Sequence, residues 1–251
     1  MPLAGPKNAL VLSAGGAFAA YQVGAWEALA GRFRPDVVVA ASAGSLNAWA
    51  IAGGASARDL AELWLDPAGA ALAAIRLRLP WRGVFDPAPL HARIEALWNA
   101  YRPRVEIGIV AVELPALRPR LFRNGEITWR HLAASCAVPF GYPPIRLASR
   151  WYVDGGLLGA LPLWAAREMG ANEILGIDVF DRAPSSPLRA VVRAARNLLP
   201  RPPRAPDDGN VRLLVPSRRL GPVRQAVFWN QEAVRRWISL GRADAEALAE
   251  P

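Results

Sequence analysis

Lysine, cysteine and histidine are the scarce residues of this 251-residue chain, and each scarcity narrows the reading. The single cysteine, Cys136, excludes an internal disulfide framework and a CxxC metal site, and it fits a reducing, cytoplasmic setting. Two histidines, His91 and His131, leave little material for a histidine-rich metal centre. Lys7 is the only lysine, so a formal charge of +9 is carried almost wholly by arginine. Arginine suits phosphate-bearing surfaces, yet no run of five or more basic residues occurs. A general Ala-, Arg- and Pro-rich composition is the better explanation of the scatter, and the scatter argues against a nucleic-acid partner. Long apolar runs are missing as well. Nothing approaches the ~18 to 20 residues needed to span a bilayer. Only Ala9 to Leu12 are continuously apolar before Ser13 and the Gly15-Gly16 pair, which is short for a secretory segment. That stretch reads better as a buried strand entering a turn.

What is present is a globular composition, 53% hydrophobic and 20% charged, long enough for one α/β domain spanning 1–251. Short apolar runs alternate with helical patterns, which predicts a mainly parallel sheet covered by helices. Strands are expected at Asn8–Leu12, Asp36–Ala40, Val105–Val112, Arg118–Phe122, Trp151–Val153, Glu173–Val179 and Val211–Val215. Helices are expected at 17–30, 43–52, 58–65, 90–101, 129–137 and 162–169, with one long helix over Val223–Leu248. The segment 200–208 (PRPPRAPDD) is too rich in proline for helix or central strand and reads as a loop before the closing strand.

Three segments carry candidate chemistry. Ala40-Ala41-Ser42-Ala43-Gly44 places a serine between a strand and a helix, where a tight turn exposes its hydroxyl and small neighbours relieve crowding. A serine N-cap is the plain alternative. Ser13-Ala14-Gly15-Gly16-Ala17 is a glycine-rich turn ahead of a helix, able to present backbone N–H groups to an oxyanion or a phosphate. It lacks G-x-G-x-x-G and GK[ST] patterns, which disfavours a nucleotide loop, and a simple strand–helix turn is its plain alternative. Asp154-Gly155-Gly156 puts a carboxylate at the end of a short strand with glycines clearing space beside it. In isolation such a triplet is more often a turn.

Taken in order, these segments resemble the patatin-like phospholipase family from Asn8 to about Val179. The glycine turn followed by Tyr21-Gln22-Val23-Gly24, the elbow Ser42 to Ala48, Ala134 to Pro139 running to Pro143-Pro144, and Asp154-Gly155-Gly156 with Pro162 all match. A closing strand and a helix containing Gly241 extend the likeness. The resemblance implies a three-layer α/β/α fold and a lipid acyl ester hydrolase working through a Ser–Asp dyad. Ser42 would be the nucleophile, Asp154 the base, and Gly15, Gly16 and Phe18 the oxyanion donors. Ala40, Gly44, Gly155 and Gly156 would shape the elbow and loop. The implied chemistry uses no metal and no cofactor, and its partner is a lipid or acyl-ester substrate met at a membrane surface. The oligomeric state is left open.

The pattern departs from the family at Ala14, Phe18 and Ala19, where two glycines and a basic residue are usual, and at Ala40. These departures keep a catalytically impaired lipid-binding protein as the second reading. Among ten tryptophans, Trp81 beside Arg82 is the candidate for lipid contact, while Trp26, Trp64, Trp98 and Trp237 lie in apolar helical patterns.

Overall fold

Strand β1 (Asn8–Leu12) is a short apolar run that lies at the centre of the sheet because both of its faces are covered. A computed structural model describes residues 6–69, 83–180 and 210–248; the Trp81 loop and the proline-rich 200–208 lie outside the described residues. Strands β2 (Val37–Ala41), β3 (Glu106–Leu114), β4 (Arg118–Arg123), β5 (Ile145–Leu147), β6 (Arg150–Val153), β7 (Glu173–Ile177) and β8 (Asn210–Leu214) complete the sheet. Its order is β5-β6-β3-β2-β1-β7-β8, with β4 also paired to β3. The pairings from β3 through β2, β1 and β7 to β8 are parallel; those of β3 with β4 and β6, and of β5 with β6, are antiparallel.

Residue alternation sorts the two faces. Leu10, Leu12, Val38, Ala40, Ile107 and Ile109 pack beneath α1 (Ala20–Leu29), α2 (Ala43–Ala52), α4 (Pro87–Ala100), α5 (Trp129–Ser135) and α8 (Gln231–Leu248). Ala9, Val11, Val37, Val39 and Val110 face α6 (Leu163–Glu168) instead. The result is the expected three-layer arrangement. Helix α3 (Ala57–Leu65) starts at a Ser56–Asp59 capping box, and α7 (Arg224–Val227) is a single turn.

The differences from the sequence reading are local. The helix expected from Ala17 begins as a 3₁₀ turn over Gly16–Ala19. The three-residue β5 carries too short an alternation to read from sequence. The helix expected over Val223–Leu248 is broken: Phe228 is extended, and the Asn230 side chain accepts the Ala233 N–H at 2.9 Å, starting α8 afresh.

Strand β3 positions the site by changing partners. Its first half pairs with β2, ending at Ala41 opposite Val110. Its second half pairs with β6, where Val153 stands opposite Val112. Because β2 runs parallel to β3 and β6 antiparallel, their carboxyl ends point at each other across Ala111. Ser42 and Asp154 are the residues that follow those two ends.

Helices α1 and α8 cross at glycines. A methyl on Gly24 would fall on the Ile238 carbonyl, and one on Gly241 on the Tyr21 carbonyl. Alanine favours a helix over glycine by ~1 kcal/mol, but overpacking at a backbone contact costs ~1–3 kcal/mol or more. Gly24→Ala is therefore expected to destabilise the fold by ~1–2 kcal/mol net, measured by chemical denaturation.

Candidate active site

The backbone of Ser42 sits at φ 54°, ψ −137°, a sparsely populated region for a residue with a side chain. The bend turns the chain from β2 directly into α2. Ser42 occupies the N-cap position, yet its hydroxyl makes no capping hydrogen bond, which leaves that group for other work. Ala40 is an ordinary strand residue paired with Leu12 and Ile109, so the first elbow position needs none of glycine's conformational freedom. Gly44 is different: a side chain there would strike the Ser13 carbonyl.

Ser135 holds the turn. Its Oγ accepts the Ser42 N–H at 2.8 Å and donates to the Val110 carbonyl at 2.7 Å. Its own carbonyl accepts the Gly155 N–H at 3.1 Å. One buried serine thus ties the Ser42 bend, β3 and the Asp154 loop together. The Gly155 position admits no side chain, since a methyl would meet the Val110 carbonyl and the Ala41 side chain.

Asp154 is 5% exposed. Its Oδ1 accepts the Gly156 N–H at 2.8 Å, while Oδ2 is buried with no hydrogen-bond partner. Burial pushes the carboxyl up to about 6, opposed by the Ser42 hydroxyl and the Gly156 N–H. The hydroxyl of Ser42 is thus close enough to favour the charged carboxylate without closing a hydrogen bond to Oδ2. Such contacts are commonly long in the absence of substrate and tighten on binding.

Gly15 and Gly16 lie in the turn that follows β1, and their N–H groups have no acceptor among the described residues. The Phe18 N–H is instead spent on the Gly15 carbonyl at 3.1 Å. The Phe18 ring is buried edge-to-face on Trp237, centroids 5.0 Å apart, anchoring the turn to α8. Ala14 is buried against Gly156 and donates its N–H to the Ala160 carbonyl at 2.9 Å.

A buried polar network sets this turn against α2. The Gln22 amide donates to the Ser13 carbonyl at 2.8 Å, and the Asn47 amide donates to Gln22 Oε1 and the Ala19 carbonyl, each at 3.0 Å. Trp64 Nε1 donates to Asn47 Oδ1 at 2.8 Å. Ser135, Gln22 and Asn47 had no assigned role in the sequence reading. Each lies inside a segment that carries the family resemblance, and each is polar within an apolar helical pattern, which in a core demands partners. Cys136, 3.9 Å from Ser45 Oγ, is held as the neutral thiol by burial and by the nearby Asp154 carboxylate. His91 and His131 stand apart, against Trp129 and Phe122.

The family model for patatin-like phospholipases matches residues 10–167. A patatin-like phospholipase domain-containing protein 7 from Mus musculus is 29% identical over 196 residues, covering 72% of this chain. Its Rattus norvegicus counterpart is 28% identical over the same span. The chain spans 14% of the length of these relatives. The crystal structure of VipD from Legionella pneumophila superposes with a TM-score of 0.56 at 13% identity, covering 97% of this chain and 66% of VipD. That likeness is one of fold.

The raised Asp154 carboxyl has a consequence for stability. The folded protein keeps this proton up to about pH 6, whereas an unfolded chain releases it near pH ~4. Between those values the folded state binds more protons, so this group's contribution falls as pH rises, by ~2–3 kcal/mol in total. Asp154→Asn should match the parent below pH ~4 and exceed its stability by ~2–3 kcal/mol above pH ~6, followed by denaturation across that range.

Proposed function

The chain belongs to the patatin-like phospholipase family, and from that premise we propose that it hydrolyses carboxylic esters of lipids through Ser42 and Asp154. The observation that carries the proposal is the buried, unpartnered Oδ2 of Asp154 beside the Ser42 hydroxyl. A carboxylate is a weak base in water; burial brings it closer to the range of a neutral-pH base.

In the first step Ser42 Oγ attacks the ester carbonyl carbon as its proton passes to Asp154. The carbonyl oxygen becomes an oxyanion facing the N–H groups of Gly15 and Gly16, and each well-placed donor is worth roughly 3–4 kcal/mol of barrier. Collapse breaks the carbon–oxygen bond to the alcohol, which leaves with the proton from Asp154. Asp154 then takes a proton from water as the water oxygen attacks the acyl-serine, and the carboxylic acid departs as Ser42 Oγ recovers its proton. Two donors suffice for this scheme, with Phe18 serving the turn's position.

The impaired, lipid-binding reading rests on the Phe18 N–H being withdrawn from the turn's donors. The two readings part in one assay. The parent should label with a fluorophosphonate and turn over a medium-chain nitrophenyl ester, with Ser42→Ala unlabelled and at least ~10³-fold slower. Equal turnover by parent and variant ends the hydrolase proposal, and an unlabelled parent selects the binding protein.

Asp154 must be ionised to act as the base. The kcat/KM of the parent is therefore expected to rise with pH through about 6, a limb that Asp154→Asn should lose.

A further inference from the structure

The loops at the carboxyl end of the sheet leave an unusual set of side chains in solvent. Phe140 is 77% exposed and Phe228 50%, and Val84, Val138 and Val227 are exposed beside them. Scattered apolar residues are normal on a surface, but a contiguous group needs an explanation. This group is contiguous. The Val84 N–H donates to the Phe140 carbonyl at 3.0 Å and the Phe85 N–H to the Gly141 carbonyl at 2.9 Å. The Phe85 ring then meets Phe228, centroids 6.4 Å apart.

The group also connects both halves of the candidate site. On one side the Asp154 N–H donates to the Ala137 carbonyl at 2.9 Å, immediately before Val138. On the other, α7 lies on the glycine turn so closely that a side chain at Gly16 would strike the Ala226 carbonyl, immediately before Val227. An apolar arch therefore runs from the base to the oxyanion turn. Phe140 is held at φ 64°, a conformation that costs a bulky residue energy and that glycine or asparagine would adopt more easily. Arg224 stands on α7 in the arch itself, and Arg218 and Arg219 lie in the segment leading to it; all three are exposed, and none has an ion-pair partner among the described residues.

We propose that this arch, with its flanking arginines, docks the protein onto an anionic lipid bilayer, with Phe140 and Phe228 entering the acyl boundary and the arginines meeting headgroup phosphates. The occupant follows from the combination. The arch joins the Asp154 loop to the glycine turn, the side from which an acyl ester would reach Ser42, and the exposed guanidinium groups, without ion-pair partners among the described residues, are complementary to phosphate. The proposal rests on the lipid-ester reading for the direction of entry, but binding itself can be read without turnover.

The test is partitioning onto phosphatidylcholine vesicles with and without phosphatidylserine, carried out in the Ser42→Ala background so that hydrolysis plays no part. The intact arch should bind the phosphatidylserine-containing vesicles more tightly, and salt should weaken that binding. Phe140→Asn with Phe228→Ser should lower partitioning onto both vesicle types by about tenfold or more. Arg224→Gln should lower it roughly fivefold on the phosphatidylserine-containing vesicles alone. In the Ser42-containing protein, the aromatic double variant should retain hydrolysis of a dissolved short-chain ester while losing hydrolysis of vesicle lipid. Equal partitioning of parent and double variant, with both folded by thermal melting, overturns the proposal. So does a dimer of the parent that the double variant dissociates, since the arch would then be a contact between copies. Loss of ester hydrolysis by the parent with partitioning intact would instead sink the hydrolase reading and leave the docking surface standing.

Discussion

Ser135 sits at the junction on which the rest of the site depends. The bend at Ser42 is strained, and a strained backbone persists only where its surroundings over-determine it. Ser135 supplies that determination by accepting the Ser42 N–H and fastening itself to the Val110 carbonyl. The same residue receives the Gly155 N–H, so the approach of the Asp154 loop is set from the same point. All of this is possible because β3 changes partners there. Two strands that end nose to nose leave a short gap beside β3, and the groups bonded around it include Ser135, the Val110 carbonyl of β3 and the Ala137 carbonyl. Small residues complete the junction. Gly44, Gly155 and Gly156 each lie where a methyl would collide, which lets the Ser42 bend and the Asp154 loop close onto the Ser13-Ala14 segment and onto β3.

Desolvation gives the junction its chemistry and also its cost. Asp154 is enclosed with one oxygen satisfied and the other bare, an arrangement that favours the protonated carboxyl and weakens the fold at neutral pH. Nothing in the packing requires that cost. An asparagine would accept the Gly156 N–H as well. A group that lowers stability where a neutral isostere would serve fits the role of base proposed for Asp154. On the other side of the turn, Gln22, Asn47, Ser13 and Trp64 form a hydrogen-bonded set that fixes the glycine turn relative to α2.

Much of this was legible in the sequence because the central strands are simple. β1 and β2 are buried on both faces, so they read as short unbroken apolar runs with glycine or serine punctuation after them. The β1, β2 and β7 positions follow from that to within about two residues, whereas β8, exposed over most of its length, was marked only by its short β-branched and leucine run. Two features were less visible. β5 is three residues long, too short to show a period, and the break before α8 hinges on Asn230 acting as a cap inside a stretch of otherwise helical composition. Within the site, Ser42, Asp154, Gly15 and Gly16 were marked by position beside glycines. Ser135, Gln22 and Asn47 were not, since their roles depend on which distant backbone groups the fold brings to them. A single polar residue in an apolar helix announces that it has a partner, never which one.

The departures from the family's glycine pattern fall into place on the same grounds. Glycine is obligatory only where the backbone is left-handed or a neighbour leaves no room. Gly16 meets both conditions, with φ 53° and the Ala226 carbonyl against it. Ala14 and Ala40 meet neither the first condition nor the second; both are buried with negative φ, and Ala40 lies inside regular strand. Ala19 is likewise helical and fully buried. An extra methyl at these points therefore fills space without deforming the turn. Phe18 changes more. Where the family usually carries a cation, this chain places a ring against Trp237 and Phe180, so the turn's position is fixed by core packing onto α8. Exposed basic charge follows the closing strand instead, on Arg218 and Arg219, and stands on α7 beside the glycine turn, on Arg224. A cation inside the turn would act on substrate already bound, whereas cations outside it would act, under the docking proposal, on the lipid surface from which substrate comes.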